Sequence, residues 1–177
     1  MTGAAEYARA LFLITEEDGV TDQVAADVET LKRVFESNPD YAKLLDTPAL
    51  DKAQRLAIVS EALGSMDWRV SNLMKLLTEK HLSHLTVRMA KEYLGLVDEA
   101  RGILRVDAIT AVAMTEEQKR ALSARLGAKT GKTAVVKNTV DEGIIGGMKL
   151  RYAGVQLDGS IKTKLEKFED GLKTLVL

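Results

Sequence analysis

A glycine- and lysine-rich string at residues 127–133, Gly-Ala-Lys-Thr-Gly-Lys-Thr, comes nearest in this sequence to a phosphate-binding motif. The P-loop pattern G-x-x-x-x-G-K-[ST] places four residues between its glycines, whereas three separate Gly127 from Gly131. A P-loop also leaves a strand and enters a helix, so that the helix N-terminus meets the phosphates. The pattern here predicts a helix followed by a strand. We therefore interpret the string as a helix C-cap and a turn with a solvated Lys132, and a weak P-loop-like nucleotide binder is the alternative.

The two histidines of the chain, His81 and His84, lie three residues apart at the start of a predicted helix. Such a pair can place two imidazoles close together, but a catalytic zinc site needs a third protein ligand and an open position. Glu79 is the nearby carboxylate, and a predicted helix junction separates it from the histidines. We interpret both histidines as surface residues and predict no metal site.

Two further features argue against a cofactor site and against cysteine chemistry. They are the spacing of the glycines at 143, 146 and 147 and the lack of cysteine. The glycines do not have the G-x-G-x-x-G spacing of a dinucleotide-binding turn, and they precede a predicted strand, which favours a bulge or a close approach of the backbone. Without cysteine the chain has no thiol nucleophile, disulfide or thiolate metal ligand. No Ser-His-Asp order or G-x-S-x-G elbow is recognisable. The sequence therefore predicts a protein with no catalytic residues and no cofactor.

The composition is that of a globular protein, with 46% of the 177 residues hydrophobic and 29% charged. Residues 1–104 carry 12 basic and 17 acidic residues, whereas residues 105–177 carry 13 basic and 9 acidic residues. This asymmetry is compatible with two domains that meet different partners, but it is too small to indicate nucleic acid. No stretch approaches the roughly 20 apolar residues of a membrane span, so we expect no direct membrane insertion. The N-terminal residues resemble neither a signal nor a transit peptide, which favours a bacterial protein.

The first hundred residues show the periodicity of short amphipathic helices separated by short connections. The predicted boundaries, in chain order, are a stop at Asp18-Gly19, a cap at Thr21, a break at Asn38-Pro39, a turn around Tyr41, Leu44 and Leu45, a capped start at Thr47-Pro48, an end at Gly64-Ser65, a start near Asp67, a start near Ser83 and a stop at Gly102. Connections of a few residues favour a compact arrangement. The pattern predicts a six-helix bundle over residues 1–104.

The remaining residues alternate between strand and helix patterns. Residues 104–112 approach strand alternation with Val112 on the same side as Leu104, and Thr115 and Gln118 have capping-box spacing. Further strands are predicted at 134–140, 148–152 and 155–157, followed by a closing helix that begins at Asp158-Gly159-Ser160. That helix packs on its own sheet or pairs with a long helix from elsewhere, and its spacing allows either. The sequence thus predicts an α+β protein, with a small α/β domain over residues 105–177.

The first and fifth helices are more apolar than a small bundle requires. Their apolar residues are Tyr7, Ala8, Leu11, Phe12, Leu13 and Ile14 in the first helix and Leu73, Met74, Leu76 and Leu77 in the fifth. A helix in such a bundle needs one buried stripe, and the excess favours a groove that accepts a partner helix. The alternative is that both helices are simply central.

Two segments resemble a known family. Residues 7–12, Tyr-Ala-Arg-Ala-Leu-Phe, resemble the opening Y-A-x-A-h-F of the delta subunit of F-type ATP synthases, a family that includes the mitochondrial oligomycin-sensitivity-conferring protein. Residues 140–151, followed by 157–161, resemble its C-terminal signature. The signature positions here are Asp141, Gly146, Gly147, Asp158 and Ser160. Ala153 stands where the family usually has glycine, which implies a different hairpin turn.

This resemblance implies a non-catalytic stator subunit of a proton-translocating ATP synthase, peripheral to the cytoplasmic face of a bacterial membrane. The N-terminal domain would bind the N-terminal segments of alpha subunits, and the C-terminal domain would bind the b subunits of the peripheral stalk. The positions that match the family's groove are Tyr7, Ala10, Leu11, Ile14, Leu73, Leu76 and Leu77. The main alternative is the nucleotide binder with its phosphate site at residues 127–133, and a free-standing helical adaptor, which predicts no binding to an alpha subunit, is the second.

Overall fold

The computed structural model of the chain describes residues 3–47, 49–144, 146–152 and 155–159. The chain divides into two compact units, Met1–Val97 and Asp98–Leu177. The sequence pattern predicts this division after residue 104, just past the end of the last helix of the first domain. The Asp98 carboxylate pairs with the Arg105 guanidinium at 3.0 Å, which ties the end of that helix to the strand that follows.

The described part of the first unit is helical. Its helices are α1 (Gly3–Glu17), α2 (Thr21–Ser37), α3 (Pro39–Asp46), α4 (Lys52–Ala62), α5 (Trp68–Glu79) and α6 (Thr86–Ala100), with a 3₁₀ turn at Ser83–Leu85. Gly19 follows α1 with a φ of 68°, a left-handed conformation that glycine adopts without strain. Helix α5 begins next to Asp67, as the sequence predicts, and Asp67 is its N-cap. The end of α1 and the start of α5 are therefore set by residues close to them in the chain.

Three predicted boundaries differ in the structure. The expected turn around Tyr41 is helix α3, because Pro39 occupies its first turn, where no backbone N–H is needed. Helix α4 begins at Lys52 rather than at Thr47-Pro48, because Asp51 and Gln54 form a capping box that satisfies donors at both positions. Pro48 itself lies outside the described residues. Thr21 is the first residue of α2 rather than its cap.

The core of the first unit is formed by the inward faces of its helices. Its largest fully buried side chains include Leu31, Met74, Leu77, Met89 and Tyr93. The Tyr93 hydroxyl lies 3.0 Å from the Thr15 hydroxyl, so the buried phenol has a hydrogen-bond partner. Phe12 meets the Tyr93 ring edge-on, with 6.4 Å between the ring centroids. Helices α1 and α6 are thereby joined through the core.

The second unit contains a four-stranded sheet. Its elements are β1 (Ile103–Thr110), α7 (Glu116–Thr130), β2 (Thr133–Val140), β3 (Met148–Tyr152) and β4 (Val155–Asp158). The strand order is β2-β1-β3-β4, with β1 and β2 parallel and the other pairs antiparallel. Parallel neighbours need a crossover, which α7 provides. Helices together with this small mixed sheet confirm the predicted α+β class.

In the second unit, one sequence prediction is confirmed, one is wrong and others fall outside the described residues. The Thr115–Gln118 capping box is present at the start of α7, as predicted. Val112 is exposed instead of continuing the buried side of β1, because the strand ends at Thr110 and the Thr110 hydroxyl hydrogen-bonds to the Val112 carbonyl at 2.7 Å. The predicted closing helix, Ser160 and the turn at Ala153 lie outside the described residues.

Candidate partner-binding groove

An open depression of about 350 Å³ lies between α1 and α5. We call it the α1/α5 groove, and its lining residues are Tyr7, Ala10, Leu11, Ile14, Trp68, Arg69, Asn72, Leu73 and Leu76. All the residues that the sequence assigned to a groove line this depression, except Leu77. The surface is mostly apolar, which is the character that a helix-binding groove requires.

The spacing of the lining residues explains why two separate helices produce one surface. In α1 they fall at 7, 10, 11 and 14, and in α5 at 69, 72, 73 and 76, so each set forms one helical stripe. The core stripe of α1 is adjacent and consists of Ala4, Ala8, Leu11 and Thr15. Leu11 belongs to both stripes and therefore lies at the floor of the groove.

Large apolar side chains in the groove remain open to solvent. Trp68 is 60% exposed, Ile14 is 47% exposed and Leu76 is 40% exposed. Fully burying a side chain of this size contributes about 1.5–3 kcal/mol. A partner that covered these residues would gain a substantial part of that free energy.

Leu77 does not belong to the groove. Its side chain is fully buried in the core of the first unit, next in sequence to the exposed Leu76. Adjacent residues in a helix point in directions about 100° apart, and in α5 this rotation turns Leu77 to the core side while Leu76 stays on the groove side. Leu76 contributes exposed surface to the groove, whereas Leu77 anchors α5 to the core.

A charged clamp stands at the N-terminal end of α5. The Asp67 carboxylate accepts the Arg69 backbone N–H at 2.9 Å and pairs with the Arg69 guanidinium at 3.0 Å. The Arg69 Nε also donates to Asp18, just after α1, at 2.9 Å. The hydrogen bond to Asp18 is the largest influence on the pKa of Arg69, which lies above its ordinary value. The Asp18–Arg69–Asp67 clamp therefore joins the two walls of the groove.

Sequence reasoning missed three lining residues: Trp68, Arg69 and Asn72. The available signal was the helical spacing of Arg69, Asn72 and Leu76, three and four residues apart. The pairing of Arg69 with Asp18 could not be found in this way, because 51 positions separate the two residues. The Arg69 guanidinium also lies 4.6 Å from the centroid of the Trp68 ring, a cation–π contact.

A second apolar depression, also of about 350 Å³, lies among α2, α3 and α4. The exposed side chains at this α2–α4 depression are Val34, Tyr41, Leu44 and Ile58. The sequence did not predict it, because each helix contributes a few residues that are not contiguous in the chain. It provides a matched apolar surface for comparison with the α1/α5 groove.

The histidines and Asp46 form a structural cluster at the other end of α5. The Asp46 carboxylate accepts the Ser83 N–H at 2.8 Å, the His84 N–H at 3.0 Å and lies 2.7 Å from the His84 Nδ1. Burial acts to raise the pKa of Asp46, but these hydrogen bonds outweigh burial and hold the pKa below its ordinary value. Both histidines are exposed, as predicted. Glu79 pairs with Lys52 instead of the histidines.

The glycine- and lysine-rich string at residues 127–133 ends α7 and begins β2. Gly131 adopts a left-handed φ of 69°, and its N–H donates to the Gly127 carbonyl at 2.9 Å. This is a helix C-cap, as the sequence interpretation proposed. The order of helix, turn and strand is opposite to that of a P-loop.

Three family-signature residues, Asp141, Gly146 and Gly147, lie in the connection between β2 and β3. The Asp141 N–H donates to the Thr110 carbonyl at 2.9 Å, and the Asp141 Oδ1 accepts the Gly143 N–H at 2.9 Å. Gly147 has a φ of 84°, which favours glycine. Asp158 is the last residue of β4, and its carboxylate lies 3.4 Å from the Lys149 ammonium. Asp141 and Asp158 thus make structural contacts within the second unit.

Two negative observations apply to the part of the chain that the structure describes. Within residues 3–47, 49–144, 146–152 and 155–159, no group of three or more His, Asp or Glu side chains has an arrangement that could hold a metal ion. In the same ranges, no helix combines the length and the apolar character needed to cross a membrane.

Comparisons with known proteins agree with the fold and identify the family. The family model described as ATP synthase delta (OSCP) subunit matches residues 4–172. The ATP synthase subunit delta of Geobacillus sp. (strain WCH70) is 36% identical over 167 residues, which cover 94% of each chain. That of Priestia megaterium is 33% identical over 170 residues, or 96% of this chain and 94% of the relative. A chain in the structure of the Toxoplasma gondii mitochondrial ATP synthase hexamer has the same fold, with a TM-score of 0.80 at 18% identity over 97% of this chain and 98% of that chain. This protein therefore belongs to the ATP synthase delta (OSCP) subunit family.

Proposed function

We propose that this subunit is a non-catalytic stator component of a proton-translocating F-type ATP synthase. Its first unit, a six-helix bundle, binds the N-terminal segment of an alpha subunit of the catalytic head, and its second unit binds the b subunits of the peripheral stalk. The protein is held by these partners at the cytoplasmic face of a bacterial cell membrane. Family membership and the bacterial relatives support this proposal.

The task of such a subunit is mechanical. Proton flow turns the rotor, and the stator must prevent the head from turning with it. A joint does this without bond chemistry if its contacts outlast a turnover. A nanomolar contact corresponds to about −12 kcal/mol, which a helix in an apolar groove together with secondary contacts can supply.

The observation that carries the proposal is the exposed apolar surface of the α1/α5 groove. Ile14, Trp68 and Leu76 are large side chains that project from two stable helices and that the described residues leave uncovered. An amphipathic helix fits such a groove by placing apolar residues at i, i+3, i+4 and i+7 against it. The binding would remove these side chains from water without refolding the core beneath them.

Substitution of Leu76 by glutamate tests the assignment of the groove. We expect Leu76→Glu to abolish binding of a synthetic peptide with the sequence of the alpha-subunit N-terminus from the same organism, because the complex would bury an unpaired charge. Binding to the full chain is measured by isothermal titration calorimetry, and the circular dichroism spectrum verifies that the variant is folded.

Leu44→Glu is the matched control. Leu44 is 45% exposed, similar to Leu76, but it lies at the α2–α4 depression. We expect this variant to bind the peptide like the wild type. Loss of binding in Leu44→Glu together with normal binding in Leu76→Glu would move the site to the α2–α4 depression. Micromolar ATP binding that disappears in Lys132→Ala would favour a nucleotide-binding protein instead.

A further inference from the structure

The α1/α5 groove contains the single tryptophan of the chain at one end of its lining. Trp68 is the most exposed of the large apolar residues that line the groove. Tryptophan is enriched among the few interface residues that carry most of the binding free energy. Its position at the start of α5 places it where the two walls of the groove are joined by the Asp18–Arg69–Asp67 clamp.

The clamp holds the indole in a defined position. The guanidinium of Arg69 lies 4.6 Å from the ring centroid, and the Arg69 side chain is itself only 13% exposed. Asp18 and Asp67 both pair with Arg69, so the guanidinium has little freedom to leave the ring. A side chain that is already ordered loses less conformational entropy when a partner binds.

Acidic side chains along the α1 edge of the groove favour a partner with basic residues. Glu6, Ala10, Leu13 and Glu17 lie on one helical stripe, and Glu6 and Glu17 are exposed and form no ion pair with any described residue. Eleven residues of helix place these two carboxylates about 16 Å apart. The α5 edge carries Lys75 and Glu79, which have opposite charges, so the α1 edge alone has a net charge.

We propose that Trp68, ordered by the Asp18–Arg69–Asp67 clamp, is the principal anchor of the α1/α5 groove, and that the groove takes an amphipathic helix with an apolar stripe against the indole and basic residues facing Glu6 and Glu17. The identity of that helix as an alpha-subunit N-terminus rests on the proposed function. Asp18 and Asp67 do not line the groove and are positioning residues, because they act on the partner through Arg69 and the indole.

Tryptophan fluorescence of the full chain tests the anchor directly. With the alpha-subunit N-terminal peptide as the probe, we expect the emission of Trp68 to shift to shorter wavelength on binding, because the ring leaves water. We expect Trp68→Ala to weaken binding at least 10-fold by calorimetry. Tyr41→Ala, which removes a comparably exposed aromatic residue at the α2–α4 depression, should change affinity less than 2-fold.

The mobility of the Trp68 ring tests whether the clamp positions the indole, because a clamp that only stabilised the fold would leave this mobility unchanged. In Asp18→Asn, one arm of the clamp is weakened, and we expect a larger amplitude of fast motion in the anisotropy decay of Trp68 in the free protein. We also expect a loss of affinity of about 3-fold. Unchanged anisotropy and unchanged affinity would contradict the positioning role of the clamp.

The charge preference is tested by the double variant Glu6→Gln/Glu17→Gln. We expect binding to weaken several-fold at low salt and to lose much of its dependence on ionic strength, because salt screens the pairing of exposed charges. Glu61→Gln, on the exposed face of α4, is the control and should retain the wild-type salt dependence. If the double variant kept the salt dependence of the wild type, the proposed pairing of Glu6 and Glu17 with basic residues of the partner helix would be wrong.

The outcomes separate the two levels of the proposal. Wild-type binding of the peptide together with equally tight binding by Trp68→Ala would overturn the anchor and leave the proposed function standing. Failure of the wild type to bind the peptide would contradict both the proposed function and the occupant assigned here.

Discussion

Helix α5 has an arginine-centred network at each end, and the two networks have different surroundings. At its N-terminal end, Arg69 pairs with Asp18 and Asp67 beside an exposed tryptophan. At its C-terminal end, Arg55 from α4 is 6% exposed and donates to the carbonyls of Leu45 and Thr78 at 3.3 and 3.2 Å. Among the described residues, Arg55 has no carboxylate partner, and its Nε has no hydrogen-bond partner at all.

Both networks complement the helix dipole. Asp67 places a negative charge at the positive end of α5, whereas the guanidinium of Arg55 lies at the negative ends of α3 and α5, where free carbonyls accumulate. The difference is burial. The N-terminal network lies beside an exposed apolar surface, whereas the C-terminal network holds three helices together in the interior. We therefore expect the same chemical change to cost much more at the C-terminal end.

The largest effect is expected for Arg55→Ala. Removing the guanidinium leaves the Leu45 carbonyl without this donor and creates a cavity, and together these should lower the free energy of unfolding by about 2–4 kcal/mol. Arg69→Ala should cost less, about 1 kcal/mol, because its partner Asp18 is 42% exposed and Asp67 keeps its hydrogen bond to the backbone N–H of residue 69. Chemical denaturation of both variants, followed by circular dichroism, gives the comparison. Equal losses would contradict the distinction between the two ends.

Asp46 should show a smaller, pH-dependent effect at the C-terminal end. Asp46→Asn should lower the free energy of unfolding by about 1–2 kcal/mol at neutral pH, because a charged acceptor of several hydrogen bonds is lost. The pKa of Asp46 is held below its ordinary 3.8 in the folded state. The ionised carboxylate therefore stabilises the fold above the unfolded-state pKa, and this contribution disappears as the pH falls through the lower folded-state pKa.

Denaturation of wild type and Asp46→Asn between pH 7 and about pH 3 measures this dependence. The difference between the two proteins should be largest at neutral pH and should shrink in acid. Asp40→Asn, an exposed carboxylate on the same helix, serves as the control and should follow the wild type. A constant difference across the range would show that the Asp46 charge has no role.

The N-terminal cap of α5 is expected to have an effect of about 1 kcal/mol. Asp67→Ala removes the acceptor of the Arg69 backbone N–H, and caps of this kind contribute about that amount. Asp67→Ser should recover much of the loss, because serine also caps helices. Thermal unfolding of the three proteins compares them, and a serine variant as unstable as the alanine variant would indicate that the pairing with the guanidinium, rather than the cap, is responsible.

The smallest effect is expected for Glu79→Gln, near the C-terminal end of α5. A hydrogen bond from Lys52 lowers the pKa of Glu79, but both side chains are about half exposed. Water screens such pairs, and many contribute nothing measurable. We expect no detectable change in the denaturation midpoint. A clear destabilisation would show that charge pairing, and not burial, distinguishes the ends of the helix.

Local patterns were sufficient to predict most of the elements and part of the groove. The helical spacing of Tyr7, Leu11 and Ile14, the start of α5 near Asp67 and the capping box at Thr115 depend on residues that are close together in the chain. The sequence therefore shows them directly. The family signature was likewise recognisable in contiguous residues. These features depend on hydrogen bonds and periodicity that do not require the rest of the chain.

Only the tertiary structure separated Leu76 from Leu77 and joined Arg69 to Asp18. The sequence shows that α5 is apolar on more than one side, but the packing of α5 in the core decides which leucine is buried. The buried Arg55 and its two carbonyl partners come from three helices, and no local pattern relates them. Contacts between residues far apart in the chain form only when the whole unit packs, because burial supplies most of the free energy that holds its helices together.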